Sequence, residues 1–269
     1  MFDKLKKWLG ANRTRATIPE PLWHKVESSL PFLAFLDDAE RDRLRVLAHE
    51  FLASKQFHGA HGLRLTDEIL LGIALQACLP VLHKGLDAYR GWVGVIVYPG
   101  DFVIPRHEMD DDGVVHEYDD EVLGEAWQGG PVLLSWFPGE TAPAGVNVVI
   151  HEFAHKLDME NGGADGFPRL PAHMSRSAWA AAFSSAYEAL CMDVDGGRDT
   201  ALDPYAAESP GEFFAVASEA FFETPGVLAQ GYPAVYAQLT AFYGMDPAAR
   251  EHRVAGTAPG AADPAPGSA

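Results

Sequence analysis

The chain has 269 residues, 48% of them hydrophobic, so it is long enough to bury a full core. Its formal net charge is −18, and a surface this acidic repels phosphate, which argues against a direct nucleic-acid partner. No run of about 18 apolar residues occurs, so no membrane span is expected. The two cysteines, Cys78 and Cys191, form neither a disulfide framework nor a ligand cluster, which favours a reducing, cytoplasmic setting.

The two ends of the chain differ in composition from the rest. Residues 1–15 carry five basic groups against one acidic group, and no apolar run follows that would make them a signal peptide. We therefore treat residues 1–19 as a basic N-terminal segment, either a packed or frayed helix or a docking helix for a partner or a membrane surface. The last fifteen residues lack aromatic and long aliphatic side chains, so 251–269 is predicted to be a disordered tail.

Helices are predicted for the N-terminal half of the domain, residues 20–90. Within 36–57, apolar residues recur at helical spacing after an acidic opening. The next helix lies within 65–82, with Thr66 as its expected N-cap and Pro80 as its stop.

The hydrophobic period changes to that of β-strands over residues 92–136. The stretch WVGVIVYPG (92–100) is β-branched and bounded by glycine and proline. FVIPR and GVVHEY form a candidate hairpin with its turn at Asp112-Gly113. GPVLLSW (130–136) is a further candidate strand.

Helical patterns return over residues 145–245. They predict four helices, at 145–159, 176–192, 210–223 and 232–244. With the preceding strands, this order predicts an α+β fold that is mostly helical, has a small mixed sheet, and forms one domain over residues 20–250.

The segment VVIHEFAHKLDMENGG (148–163) has two histidines four residues apart, with a glutamate directly after the first. On a helix this spacing places His151 and His155 on one face, where both imidazoles can bind one Zn²⁺ at about 2.0–2.1 Å. Glu152 is offset from the pair, so it can hold a water molecule rather than the metal. The alternative is a polar stripe on a solvated helix face, opposite an apolar one.

A catalytic zinc site needs a third protein ligand and one open position. Within 203–223, Glu212, Glu219 and Glu223 share one helix face. Either of the first two can be the ligand. In the alternative interpretation, Glu212 only caps its helix in the sequence Ser209-Pro210-Gly211-Glu212, and Glu219 forms a surface salt bridge.

Three segments, VLGEAWQGGPVLLSW, HEFAHKLDMENG and PYAAESPGEFFAVASEAFF, resemble the Mlc titration factor A family of zinc metallopeptidases. That family is similar in its active site to the catalytic domain of anthrax lethal factor. The resemblance implies a zincin-like fold of gluzincin type, with the zinc helix beneath the small sheet.

In lethal factor the ligand glutamate begins an EFFAE stretch, with a catalytic tyrosine seven residues earlier. Here Glu212 opens EFFAV and Tyr205 stands seven residues before it. The resemblance therefore implies Glu212 as the third metal ligand and Tyr205 as the catalytic tyrosine. Val216 replaces the second glutamate of that stretch, which leaves Glu219 or Asp158 to orient an imidazole.

The resemblance implies an aminopeptidase-like zinc enzyme that acts on a peptide or protein, with one Zn²⁺ per chain held by His151, His155 and Glu212. Glu152 would act as the general base, and Tyr205 would donate a hydrogen bond to the developing oxyanion. The strand GPVLLSW would be either an ordinary core strand or the sheet edge to which an extended substrate adds.

The resemblance also implies an association with Mlc, a glucose-related transcriptional repressor. The alternative to a dedicated peptidase is therefore a repressor-binding regulatory protein with weak or latent peptidase activity. The two functions are compatible in one chain.

Overall fold

The structure, a computed structural model, describes residues 18–109, 115–137 and 146–250. Nearly all of the basic segment 1–19, the predicted Asp112-Gly113 turn and the predicted tail 251–269 lie outside the described residues.

The helices follow the predicted order, and four short 3₁₀ turns connect them in the described part of the chain. The α-helices are α1 Glu20–Ser28, α2 Asp38–Ser54, α3 Asp67–Cys78, α4 Val148–Asp158, α5 Arg176–Asp195, α6 Pro210–Glu223, α7 Pro225–Gly231 and α8 Pro233–Tyr243. The 3₁₀ turns are Pro31–Phe35, Leu86–Tyr89, Met159–Asn161 and Pro204–Ala207.

Side-chain caps explain where the first long helices begin. The amide of Glu40 donates to Asp37 at 2.9 Å and the amide of Asp37 donates to Glu40 at 3.1 Å, which is a complete capping box for α2. The predicted N-cap of α3 is confirmed, because the Thr66 hydroxyl accepts from the amide of Ile69 at 3.3 Å.

Among the residues that the structure describes, the strands form two separate sheets. They are β1 Gln56–Gly59, β2 Gly94–Tyr98, β3 Phe102–Met109, β4 Val115–Val122, β5 Gly124–Ala126 and β6 Val132–Ser135. The predicted hairpin is present, since β3 pairs with β4 in antiparallel fashion. The other four strands form a mixed sheet in the order β1-β2-β6-β5, parallel except between β6 and β5.

Two of these strands were not predicted. The helix expected over residues 36–57 ends at Ser54, and Gln56 instead begins β1 beside β2. Strand β5 has three residues, and such a short segment shows too little alternation to be recognised by its pattern.

The GPVLLSW segment is an internal strand. Its strand residues, β6, lie between β2 and β5, and all four of them are buried. Within the described chain, the end strand on this side of the sheet is therefore β5 rather than β6.

Helix α4 is packed between this sheet and α6. Its apolar side is fully buried, and the ring of Phe153 lies among those of Phe51, Tyr89 and Trp92 at centroid distances of 5.5, 5.2 and 5.7 Å. Buried apolar side chains form one continuous core from Ile18 to Met245. The mostly helical α+β fold with a small mixed sheet is confirmed.

No helix in the described ranges combines the length and the apolar character needed to cross a membrane.

Candidate metal centre and its cleft

The helix that carries the histidine pair begins at a buried asparagine. The Asn147 side chain accepts a hydrogen bond from the amide of Ile150 at 3.0 Å, so it is the N-cap of α4. Its side-chain amide also donates to Gln76 and to Glu223, both at 2.7 Å. These bonds join α4 to α3 and α6, so the position of the histidine helix depends on both neighbours.

The two histidines meet one glutamate of α6. The Nε2 atoms of His151 and His155 are 3.1 Å apart. The carboxylate of Glu212 approaches them at 2.9 Å and 3.3 Å, respectively. The α6 N-terminus is capped by Ser209, whose hydroxyl accepts from the amide of Glu212 at 3.1 Å. The Glu212 side chain is directed to the imidazoles, so the interpretation of this residue as only a helix cap is wrong.

The donor set and the spacing of this cluster fit a divalent metal ion. One ligand atom from each of the three residues can be chosen so that all lie within 4.8 Å of one another. In a tetrahedral site with metal–ligand bonds of about 2.0–2.1 Å, ligand atoms are about 3.3 Å apart. The observed separations lie near that value, and two imidazoles with one carboxylate leave one position open.

Glu219 is a buried residue that orients His151. Its carboxylate lies 2.7 Å from Nδ1 of His151 and accepts a second hydrogen bond from the amide of Asn147. Binding at Nδ1 fixes the ring and leaves Nε2 available for a metal. Glu219 is only 4% exposed, so its interpretation as a surface ion-pair residue is wrong.

Asp158, the other candidate for that role, is directed elsewhere. Its carboxylate accepts from the amide of Gly166 at 2.7 Å. Burial raises the pKa of Asp158 to about 7. Its second oxygen and Nδ1 of His155 are both buried and have no hydrogen-bond partner among the described residues. Asp158 therefore holds the loop that follows the histidine helix.

Glu152 lies in the wall of the cleft and is 4% exposed. One of its carboxylate oxygens has no hydrogen-bond partner in the described part of the chain. Burial raises the pKa of Glu152 to about 8, although His151 acts in the opposite direction. The raised pKa suits a carboxyl group that takes up and releases a proton near neutral pH.

The contacts between the imidazoles and the neighbouring carboxylates also shift the pKa values of His151 and Glu212. Burial acts to lower the pKa of His151, but hydrogen bonds with Glu212 and Glu219 raise it well above its usual value. Burial alone would raise the pKa of Glu212, yet bonds to the two histidines hold it well below its usual range. Both shifts show that the carboxylates favour positive charge here.

Tyr205 also lines the cleft, and it lies on the 3₁₀ turn Pro204–Ala207. The turn begins at Asp203, whose carboxylate accepts from the amide of Tyr205 at 2.9 Å. The tyrosine ring lies 6.1 Å from the ring of His151, between centroids, and is 48% exposed. The structure therefore brings the tyrosine that the sequence singled out to the same cleft as the histidine pair.

The cleft has a volume of about 680 Å³ and is lined by β5, α4, α6 and the Pro204–Ala207 turn. Six carboxylates line it, and none of its described lining residues is lysine or arginine. The carboxylates are those of Glu125, Glu152, Asp203, Glu208, Glu212 and Glu219. Val216, one turn after Glu212, lines the cleft with an apolar side chain.

Two polar residues that hold the start of the histidine helix, Asn147 and Gln76, are not predicted from the sequence. Asn147 and Gln76 belong to different helical regions, and neither matches a catalytic motif. An asparagine directly before an apolar helical run is a recognisable N-cap signal, so Asn147 could have been found. Gln76 could not, because it lies 71 positions from its partner in the sequence.

The fold and the site define a protein with a metal-binding cleft in which a His-Glu-x-x-His helix meets a glutamate from a second helix. The family described as glucose-regulated metallo-peptidase M90 matches residues 5–244 of the chain. The chain belongs to this metallopeptidase family.

The chain is also similar over most of its length to proteins named Mlc titration factor A. The one from Serratia proteamaculans is 38% identical over 84% of this chain and 88% of the relative. The one from Pectobacterium atrosepticum is 40% identical over 82% and 85%, and that from Cronobacter sakazakii is 38% identical over 91% and 93%.

Proposed function

We propose that the protein is a zinc-dependent peptidase of gluzincin type, with one Zn²⁺ held by His151, His155 and Glu212. The observation that carries this proposal is the approach of the Glu212 carboxylate to both Nε2 atoms, at 2.9 Å and 3.3 Å, on the wall of an open cleft. Zinc is favoured over Ca²⁺ or Mg²⁺ because those ions prefer all-oxygen ligand sets.

Bound at these three residues, zinc would act as a Lewis acid towards a peptide carbonyl and would lower the pKa of a water molecule, so that the water can lose a proton near neutral pH. Glu152 is the general base in this proposal. Its buried carboxylate removes a proton from the attacking water and later gives it to the leaving amine. Its position next to His151 in the sequence, on the cleft wall, supports this role.

Tyr205 is the proposed donor to the oxyanion that develops on the scissile carbonyl. Its ring faces the cleft close to His151, and the Asp203 cap holds the turn that carries it. A hydroxyl donor placed where negative charge develops stabilises the transition state more than the substrate.

We further propose that the substrate presents a positive charge at the cleft, as the free N-terminus of a peptide does. Asp203 and Glu208 are exposed carboxylates at this cleft, and its described lining contains neither lysine nor arginine to oppose them. An ammonium group is therefore attracted and a free carboxylate repelled, which supports aminopeptidase-like activity.

The test compares the purified protein with its Glu152→Gln variant for zinc content and for hydrolysis of a peptide library. We expect about one zinc per chain in both proteins, chelator-sensitive cleavage by the wild type and nearly none by the variant. Blocking the N-terminus of each peptide by acetylation tests the aminopeptidase preference. Normal turnover by metal-loaded Glu152→Gln protein would refute the proposed mechanism.

A second candidate function is capture of a repressor similar to Mlc, with the peptidase weak or latent. The names of the relatives favour it, and such a partner would place the chain in the cytoplasm. A His151→Ala/His155→Ala double variant separates the two functions. A regulatory binding protein retains its affinity for purified repressor in this variant, whereas peptide hydrolysis disappears.

A further inference from the structure

The end strand β5 lies against Glu152, the proposed general base, and the residue at the point of closest approach is Gly124. A Cβ atom added at Gly124 would lie 2.4 Å from Oε1 of Glu152, 2.6 Å from its Cγ and 2.7 Å from its Cδ. Carbon–carbon contacts are optimal at about 3.5–4.0 Å. The overlap involves the middle of the glutamate side chain as well as its end, so a small rotation of the carboxylate cannot relieve it.

The backbone at this position does not itself require glycine. Gly124 is not among the glycines with positive φ, so an alanine could adopt its conformation. It pairs with Leu134 in β6, and glycine in a strand weakens that strand. The close approach of Glu152 is therefore the feature that calls for glycine.

Strand β5 cannot simply move away to make room. The turn between β5 and β6 is attached to helix α4 through Lys156, whose ammonium donates to the carbonyl of Gly130 at 2.9 Å and to that of Trp127. Lys156 lies on the same helix as Glu152 and one turn further on. The helix thus holds the turn that directly follows β5, a short distance along the chain from the glycine that approaches the glutamate.

We propose that Gly124 is a positioning residue for Glu152, whose carboxylate is held towards the cleft by the bare backbone of β5 on one side and α4 on the other. This inference rests on the proposed function, in which Glu152 is the general base. A methyl group at residue 124 displaces the carboxylate by an ångström or more while the histidines and Glu212 stay in place. Misplacement of a reacting group by about 1 Å can cost about 100-fold in rate.

The experiment uses Gly124→Ala in the full chain, with Gly94→Ala as the matched control. Gly94 is in the same sheet, and its added Cβ would meet the side chain of Pro131 at 3.1 Å rather than Glu152. We expect Gly124→Ala to lower kcat by about 100-fold, with KM and metal affinity unchanged, and Gly94→Ala to retain wild-type kcat.

Shortening the glutamate provides the test of direct contact. In a Glu152→Ala background, no side-chain atom beyond Cβ remains to meet the added methyl, so Gly124→Ala should lower the residual kcat much less than it lowers kcat in the wild type. Equal costs in both backgrounds, loss of metal from Gly124→Ala, or an unchanged kcat would each overturn the proposal. If Gly124→Ala alone does not fold, the double variant must fold for the proposal to stand.

A spectroscopic readout keeps this inference separate from the proposed function. If metal-loaded wild-type protein hydrolyses no peptide, the proposed function fails. The visible spectrum of the Co²⁺-loaded protein can still be followed against pH. A pH profile altered by Gly124→Ala and unaltered by Gly94→Ala supports displacement of Glu152, whereas superimposable profiles of all three proteins overturn it.

Discussion

The carboxylate of Glu219 lies 2.7 Å from Nδ1 of His151, on the side of the ring opposite the nitrogen that faces Glu212. Glu219 also accepts from the backbone amide of Asn147, the N-cap of the histidine helix. One buried side chain therefore sets both the rotation of the imidazole and the position of the helix that carries it.

Removal of that carboxylate should weaken metal binding. We expect Glu219→Ala to lower zinc affinity by about 10–100-fold, because His151 loses the partner that fixes its ring. Affinity is measured by competition with a chromogenic chelator. The control is Glu223→Ala on the same helix, which loses a bond to Asn147 but none to a histidine. Equal losses in both variants would show that the effect comes from the packing of the helix.

Loss of the tyrosine hydroxyl should impair turnover and spare the metal. We expect Tyr205→Phe to bind zinc as the wild type does and to lose about 10²–10³-fold in kcat, the usual effect of removing one oxyanion donor. Steady-state kinetics and metal analysis on the same preparation measure both quantities. Tyr187→Phe, which loses a bond to the carbonyl of Ala207, controls for removal of a nearby hydroxyl. A fully active Tyr205→Phe protein would contradict this role.

The start of helix α6 should be unusually sensitive to a single methyl group. A Cβ at Gly211 would lie 2.7 Å from the carbonyl oxygen of Ala164, whereas glycine to alanine in a helix normally stabilises by up to about 1 kcal/mol. We expect Gly211→Ala to displace the adjacent Glu212 and to lower both zinc affinity and the free energy of unfolding.

Gly226 is the matched control, since it also follows a proline at the start of a helix but has nothing within 4 Å of an added Cβ. Urea unfolding should show Gly226→Ala to be as stable as the wild type or slightly more stable. If Gly211→Ala behaves in the same way, the close packing of α6 against residue 164 does not matter for the site.

Lys84 should make stability depend on pH. Its ammonium lies 2.8 Å from the centroid of the Phe242 ring, and burial lowers its pKa from 10.5 to about 7. Between these two values the unfolded chain binds a proton that the folded chain does not, so this group's contribution to stability rises with pH. Below pH 7 Lys84 is protonated in both the folded and the unfolded chain, so the folded protein is destabilised by the full free-energy cost of burying this charge.

We expect Lys84→Met to be stabilised relative to the wild type most at pH 6.5, and the difference to shrink as pH rises to 9.5. Urea unfolding of both proteins at several pH values measures it. Replacing the exposed Lys25 by methionine controls for loss of a positive charge. A constant difference between Lys84→Met and the wild type across this range would contradict the prediction.

The features that the sequence alone determined are local ones. One is the spacing that puts His151 and His155 on one helix face. Another is the pair of N-caps at Thr66 and Ser209. Each depends only on neighbouring residues, and the structure shows both features. The order of the long helices and of the main strands follows from hydrophobic period in the same way. Short strands such as β5 offer too few residues for that signal.

Only the tertiary structure decided which carboxylate meets which imidazole. Glu212 is 57 positions from His155 and Glu219 is 68 from His151, so both contacts exist because α6 lies beside α4. Asp158 lies one turn from His155 on the same helix, yet its carboxylate is bound to the amide of Gly166. Spacing within a helix predicts which side chains share a face, but the partner of each depends on the element packed against that face.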